Sequence, residues 1–322
     1  MELRFSLYKT LLVVSFMLCF NVSAQLPSTI LTIGSGSKSG NYYKIGNTFC
    51  NLINSNNADS KIKCINRTTA GSIENIEIAL IDKTSISIAQ IDTLSSHPER
   101  EKLRIVATLY LEPVFILASQ GSDAQTFNDV LLQERINIGA SNSGENSTAR
   151  LLMKEKGWEK TSLDESSRYE ITSLICKSLG DAKSIDIAFL VGANPNNFVF
   201  EVLKRCNARL IGIEQDFIKS FTKKYTNFAE FLIPANTYPN QKDVIKTVAM
   251  EAVLFASEDV SPKLIQDILQ SIFSNMEALQ NSNSSFVGRD MKSFFKTNTG
   301  LKFHKGTEDF LKELEQQKTN AL

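Results

Sequence analysis

Short runs of aliphatic and β-branched residues alternate along this chain with longer stretches whose apolar residues return every three or four positions. The runs at 30–33, 61–66, 86–91, 135–140, 185–191 and 208–213 have strand length. The periodic stretches at 41–54, 72–82, 147–156 and 196–205 have helix length, with a shorter one at 127–133. This alternation predicts an α/β fold with mainly parallel pairing. Gly157, just past the third of the long helices, is the residue favoured beyond a helix C-terminus. Residues 103–119 form two extended runs around Glu112-Pro113, and the proline suits a crossing point between two lobes. The strand-like run at 247–257 is predicted to bring the chain back. Ser261-Pro262 then opens a helix, with proline at its first position. Ile265, Ile268, Leu269, Ile272, Met276 and Leu279 follow at helical spacing and read as core packing. The expected organisation is a discontinuous first lobe, 25–113 plus 244–322, around a continuous second lobe, 114–243.

The N-terminus changes the picture of where the protein works. Arg4 and Lys9 precede the apolar stretch TLLVVSFMLCF, which is too short to span a bilayer. Val22-Ser23-Ala24 offers small residues where a signal peptidase reads, so 1–24 is expected to be a cleaved signal peptide and Gln25 the first mature residue. Cys19 follows Phe16-Met17-Leu18, which lacks the small residue that lipid attachment needs. Cys19 is therefore part of the discarded leader, and the mature protein is expected to be periplasmic.

Composition narrows the partners. The 322 residues carry 35 Lys and Arg against 35 Asp and Glu, so no net charge draws the protein to nucleic acid or to an anionic membrane. No later segment is apolar for long enough to cross a membrane, so no insertion is expected once the signal is removed. Of five cysteines, four remain after the leader, and an even number in an oxidising compartment suggests two disulfides. Four cysteines allow three pairings. Cys50 late in the first helix and Cys64 on the next strand favour one bridge, and Cys176 with Cys206 the other. With no C-x-x-C pair and two histidines, His97 and His304, a metal site is not expected.

Three segments share one design, a strand followed by a Gly/Ser-rich turn and a helix. They are GSGSKSG at 34–40, TTAGS at 68–72 and GASNSGENS at 139–147. In open α/β sheets ligands sit beyond the carboxyl ends of strands, where helix N-termini present free N–H groups and partial positive charge. Small residues let an anion approach those groups. The first loop does not meet the phosphate-loop spacing, despite Lys38-Ser39. No nucleophile elbow surrounds Ser143, and neither histidine is near the glycine loops in sequence, so catalysis is not expected and no cofactor is implied. Asp92 and Glu112 read as polar orienting groups in a pocket. Arg67 and Arg150 flank two of the loops, either to attract an anion or only to face solvent.

In order along the chain, GSGSKSGNYYKIGNTFCNLIN, RTTAGSIENI, SIAQIDTL, ATLYLEPVFILA, NIGASNSGENSTARLLM, FLVGANPN, FLIPANTYPNQ and FHKGTEDFLKE resemble the motifs of the TAXI family, the TRAP-associated extracytoplasmic immunogenic proteins. The resemblance implies a type II periplasmic-binding fold, with two α/β lobes, crossing hinge strands and a ligand cleft between the lobes. It implies a monomeric binding protein that delivers a small anionic or zwitterionic solute, a glutamate-like amino acid or another carboxylate, to TRAP membrane permease subunits. Carried over motif by motif, the ligand-binding positions are Gly40 and Tyr43; Gly71, Ser72 and Asn75; Gln90 and Asp92; Ser143, Gly144 and Thr148; and Asn194. Glu145 puts an acid where many relatives have a neutral or basic residue, which disfavours a dianionic ligand. The stretch around Cys176 is longer than its counterpart in close relatives. Alternatives are an orphan binding protein feeding a sensor or an ATP-driven transporter, and an enzyme on the same fold.

Overall fold

The computed structural model describes residues 29–56, 62–132, 135–158, 163–176, 184–297 and 300–320, so the expected leader at 1–24 lies outside the described residues. The chain begins with β1 (Thr29–Gly36), α1 (Asn41–Asn56), β2 (Ile62–Thr68), α2 (Ser72–Ile81), β3 (Ser85–Gln90) and α3 (Ile91–Ser96). It continues through the long strand β4 (Leu103–Ala118) to β5 (Ile136–Asn137), α4 (Gly144–Glu155), α5 (Arg168–Ile175), β6 (Ile187–Val191), α6 (Asn197–Cys206) and β7 (Arg209–Ile211). Then come α7 (Gln215–Lys224), β8 (Phe228–Ile233), β9 (Ile245–Ser257), α8 (Pro262–Phe273), α9 (Met276–Ser282) and α10 (Lys305–Asn320).

The sheet order is β2-β1-β3-β9-β4-β6-β5, with β7 on β4 and β8 on β9. Among the strands of the described residues, the pairs β1–β2, β1–β3 and β5–β6 are parallel. The expectation of mainly parallel pairing therefore fails at the centre, where β9 runs antiparallel to β3, β4 and β8, and β4 runs antiparallel to β6 and β7. The reason is that β4 and β9 are connections as well as strands. Each passes from one half of the sheet to the other, in opposite directions, and side-chain periodicity carries no direction.

Residues 103–119, expected as two extended runs, form one strand with register shifts between Ile105 and Ala107 and between Thr108 and Tyr110. Its partner changes at the predicted proline: Pro113 faces Ala249 of β9, and Val114 faces Val191 of β6. Proline has no N–H to give to a ladder, so a change of neighbour is a tolerable place for it. The helix expected at 147–156 starts earlier, at Gly144, because Ser143 caps it by accepting from the Asn146 N–H at 3.2 Å. Asn196 caps α6 in the same way.

Three apolar clusters support this sheet. One joins both ends of the chain, packing Leu31, Ile45 and Phe49 against Ile265, Ile268, Phe294 and Phe310. Here the predicted stripe of α8 is buried, with Leu279 contributed by the separate helix α9. A second cluster gathers Phe115, Leu190, Val202, Leu203 and Tyr238 around α6. The third covers the other face and runs beneath both halves, from Ile76 and Phe255 to Phe127, Trp158 and Phe189. Each fully buried Phe or Ile contributes roughly 1.5–3 kcal/mol.

The structure forms the bridges Cys50–Cys64, from α1 to β2, and Cys176–Cys206, from the end of α5 to the end of α6, with Cα separations of 5.0 and 4.6 Å. Both pairings are those that the element order favoured. Reduction is expected to lower stability by roughly 3 kcal/mol per bridge. Thiol titration of the denatured, unreduced protein without the expected leader should find no reactive thiol; four would mean that neither bridge forms, and peptide mapping tests the pairing.

Candidate functional site

Four helices begin where strands end, and their N-termini face one cleft of about 480 Å³. The β1–α1 loop contributes Ser35 to Gly40 except Lys38, and α1 adds Asn41, Tyr42 and Lys44. The β2–α2 loop contributes Thr69 to Ser72, the β5–α4 junction Ala140, Ser143, Gly144 and Glu145, and the β6–α6 segment residues 191–193 and 195–198. Gln90 closes the end of β3, and Glu112 enters from β4. Each helix start leaves N–H groups without an intrahelical acceptor and carries partial positive charge. The lining is accordingly rich in serine, glycine and asparagine. Its charged side chains among the described residues are Lys44, exposed at the rim, and the buried Glu112 and Glu145.

The two halves of the sheet meet across this cleft at short range. Gly71 has φ +132°, a left-handed backbone that favours glycine, and a Cβ there would lie 3.4 Å from Ser143 Cα. The Gln90 N–H donates to Ser72 Oγ at 3.1 Å. The Gln90 side-chain amide donates to Thr148 Oγ1 at 3.2 Å, and the Thr148 hydroxyl donates to Asp92 Oδ2 at 2.7 Å. This buried relay links β3 and α3 to α4. Burial pushes the Asp92 carboxyl up to about 6, although the Thr148 hydrogen bond pulls the other way.

Of the residues expected at the site, Gly40, Gly71, Ser72, Gln90, Ser143 and Gly144 line the cleft. The structure does not bring Tyr43, Asn75, Asp92, Thr148 or Asn194 to its surface. Asn75 is fully buried beneath the second loop, donating to Ile88 O at 2.7 Å and accepting from the Thr69 hydroxyl at 2.7 Å. Asn194 accepts from the Tyr238 hydroxyl at 2.8 Å and precedes a cis peptide bond to Pro195. The same Tyr238 oxygen accepts from Asn196 N–H at 2.8 Å, and burial pushes its phenol up to about 12. Tyr43 lies next to the residue that does line the cleft, Tyr42; a helix turns its side chain by about 100° per residue.

Neither flanking arginine lines the cleft. Arg67 is exposed on β2, and Arg150 pairs with Glu165 while its Nε donates to Asn146 Oδ1 at 2.9 Å. His97 stands 3.3 Å from Glu77, and His304 is buried beside β4. Neither histidine reaches the cleft.

Sequence reasoning missed a clamp. Tyr42 donates to Glu112 Oε2 at 2.5 Å, and Tyr110 donates to Glu112 Oε1 at 3.0 Å. Burial, and then the Glu112 charge, push the Tyr42 phenol well above its usual range. Glu112 was expected, with Asp92, as a polar orienting group in a pocket, but without its two tyrosine partners. Its partners lie on a different element and on its own strand two residues away, so nothing in the local pattern joins them. Glu145, noted as unusual, is buried, and its Oε2 accepts from the Val191 N–H at 3.0 Å.

Comparison with known proteins adds a family and a fold. The sequence profile of the NMT1-like family matches residues 33–314. Among solved structures, MatC from Rhodopseudomonas palustris with bound malate is similar at TM-score 0.52 and 12% identity, covering 81% of this chain and 90% of that one. XAC2383 from Xanthomonas citri bound to ATP is similar at 0.52 and 10%, covering 82% and 93%. The periplasmic binding protein BugD is similar at 0.51 and 8%, covering 90% and 94%. At these identities the likeness is one of fold, the two-lobed α/β fold of periplasmic binding proteins.

Proposed function

Because this chain belongs to the NMT1-like family, we propose that it is a solute-binding protein of the TAXI type. It is exported by a cleaved leader, works in the periplasm, and binds a small carboxylate or amino acid of glutamate-like kind. It hands that solute to the permease of a TRAP-type transporter driven by an ion gradient, and it catalyses nothing. The observation that carries this reading is the convergence of four helix N-termini, drawn from both halves of the sheet, on one cleft beside the crossing strands β4 and β9. The malate in MatC is a precedent for a small carboxylate in this fold.

The first lobe in this reading is 25–113 plus 244–322 and the second 114–243. It is supported by the cluster that packs both chain ends together and by the one gathered around α6. The solute carboxylate is held by N–H groups at the starts of α2 and α4 and by the Ser72 hydroxyl, without a buried cation. The Ser143 hydroxyl donates to Ala140 O at 2.6 Å and caps its own helix, so that loop contributes through its backbone. Lobe closure removes water, strengthens these bonds, and gives the permease a loaded form to recognise.

Native mass spectrometry of the mature protein purified from its host should reveal a bound carboxylic acid or amino acid of small mass. Calorimetry with that compound tests the mechanism. Ser72→Ala should weaken binding by roughly 1–3 kcal/mol. Arg67→Ala, at an exposed position off the cleft, should leave it unchanged. The reverse result would mean that a cation holds the anion.

A further inference from the structure

A pocket that holds a carboxylate on helix N-termini still has to read the rest of its solute. Gln90 and Asp92 were expected to do so, but the Asp92 carboxyl accepts from Thr148 and does not line the cleft. Glu112 does line it, while only 3% of its surface is exposed. It sits one residue before the point where β4 changes partner from β9 to β6, against the backbone on which the two halves of the sheet turn. The hydroxyls of Tyr42 and Tyr110 fix one carboxylate oxygen each. Tyr42 belongs to the first turn of α1 and itself lines the cleft, so the clamp ties the Glu112 carboxylate to the same helix start that faces the solute.

The charges around the cleft are unequal. Glu145 lies in the first turn of α4, where the helix dipole offsets a negative charge, and its Oε2 is turned to the backbone of β6. Lys44 is exposed at the rim. The other acid of the lining is Glu112, whose two oxygens both accept from tyrosine hydroxyls. A second solute carboxylate placed there would meet a like charge in a desolvated site, which is strongly unfavourable, whereas an ammonium would meet an opposite one.

We propose, resting on the solute-binding reading above, that Glu112 is the specificity-determining residue of this cleft and that it receives an ammonium group. The solute is then oriented with a carboxylate toward the starts of α2 and α4 and its ammonium toward β4. The cleft selects an amino acid over the oxo acid of the same carbon skeleton, because the ammonium meets an opposite charge at Glu112 that the oxo group does not.

The test uses the mature protein and a panel of L-amino acids, each matched with its 2-oxo acid, with affinities read by calorimetry. The wild type should bind at least one amino acid at least tenfold more tightly than its oxo acid. Glu112→Gln should bring the two affinities to within about threefold, chiefly by weakening the amino acid, with the oxo acid held as well as before or better. Tyr42→Phe, which leaves the charge and loosens its position, should reduce the preference by a smaller factor and serves where Glu112→Gln does not fold. Oxo acids bound as tightly as amino acids by the wild type would overturn the inference and leave the solute-binding reading standing. So would a Glu112→Gln protein, or a Tyr42→Phe protein used in its place, that keeps the full preference. If no compound of either class binds, the inference falls, and the solute-binding reading is decided by the native mass spectrometry above.

Discussion

Gly144→Val should weaken solute binding by roughly 10- to 100-fold while leaving the protein folded. A Cβ at Gly144 would lie 1.9 Å from Gln90 Oε1, 2.7 Å from Gln90 Cδ and 2.6 Å from Ser72 Oγ. None of these atoms can retreat at small cost. Ser72 is buried at the start of α2, and the Gln90 side chain is buried and bonded to Thr148 and to Met250 Sδ. The contact lies between the start of α4 on one side and α2 and β3 on the other, so the strain is relieved by moving those elements apart. Overpacking of this kind costs about 1–3 kcal/mol, and the closed, binding-competent form is the one that bears it. Each 1.4 kcal/mol is tenfold in affinity. Calorimetry should record the loss, and X-ray scattering should find the variant more extended than wild type in the presence of solute. A Gly144→Val protein with unchanged affinity would mean that the close approach is not part of binding.

Asp92→Asn should raise stability by up to about 3 kcal/mol at pH 7.5, an order-of-magnitude ceiling from a shift of about two pH units at 1.36 kcal/mol each, lowered by the unmet donors of an amide NH2 in the place of Oδ1. Burial lifts the Asp92 carboxyl from 3.8 to about 6. The folded protein therefore holds this proton more tightly than the unfolded chain does. The stabilisation it provides is fully present below the unfolded value near 4, and is lost as pH rises through 6. At neutral pH the ionised group is a net burden, which an amide of the same shape removes while its oxygen still accepts from Thr148. Denaturant melts of both proteins at pH 7.5 and 4.5 should show a large gap that narrows with acid. A variant less stable than wild type at pH 7.5 would mean that the charge of Asp92, and not only its hydrogen bond, supports the fold.

The residues that were readable in sequence are those whose roles are local. A Gly/Ser turn between an aliphatic run and a periodic one has few structures open to it, so the three loops and the starts of α1 and α2 could be seen in the chain order alone, and that of α4 was missed by three residues. The stripe of α8 gave a core face for the same reason, and Pro113 marked a change of strand partner because it lacks a donor. Short separations, 14 and 30 residues, made both disulfides expected from neighbouring elements.

What the sequence by itself determined, then, is the alternation of elements, the positions of the anion-ready helix starts, and which faces are apolar. The tertiary structure alone decided which of these meet. Periodicity says that a residue is buried but not against what, so the antiparallel crossing of β4 and β9 was invisible. The same limit moved Asp92 behind Thr148, 56 positions away, and put Glu112 into the cleft under the hydroxyl of Tyr42, 70 positions away. A buried carboxylate takes its role from the donors that surround it, and those donors are supplied by distant segments only once the sheet has closed around them.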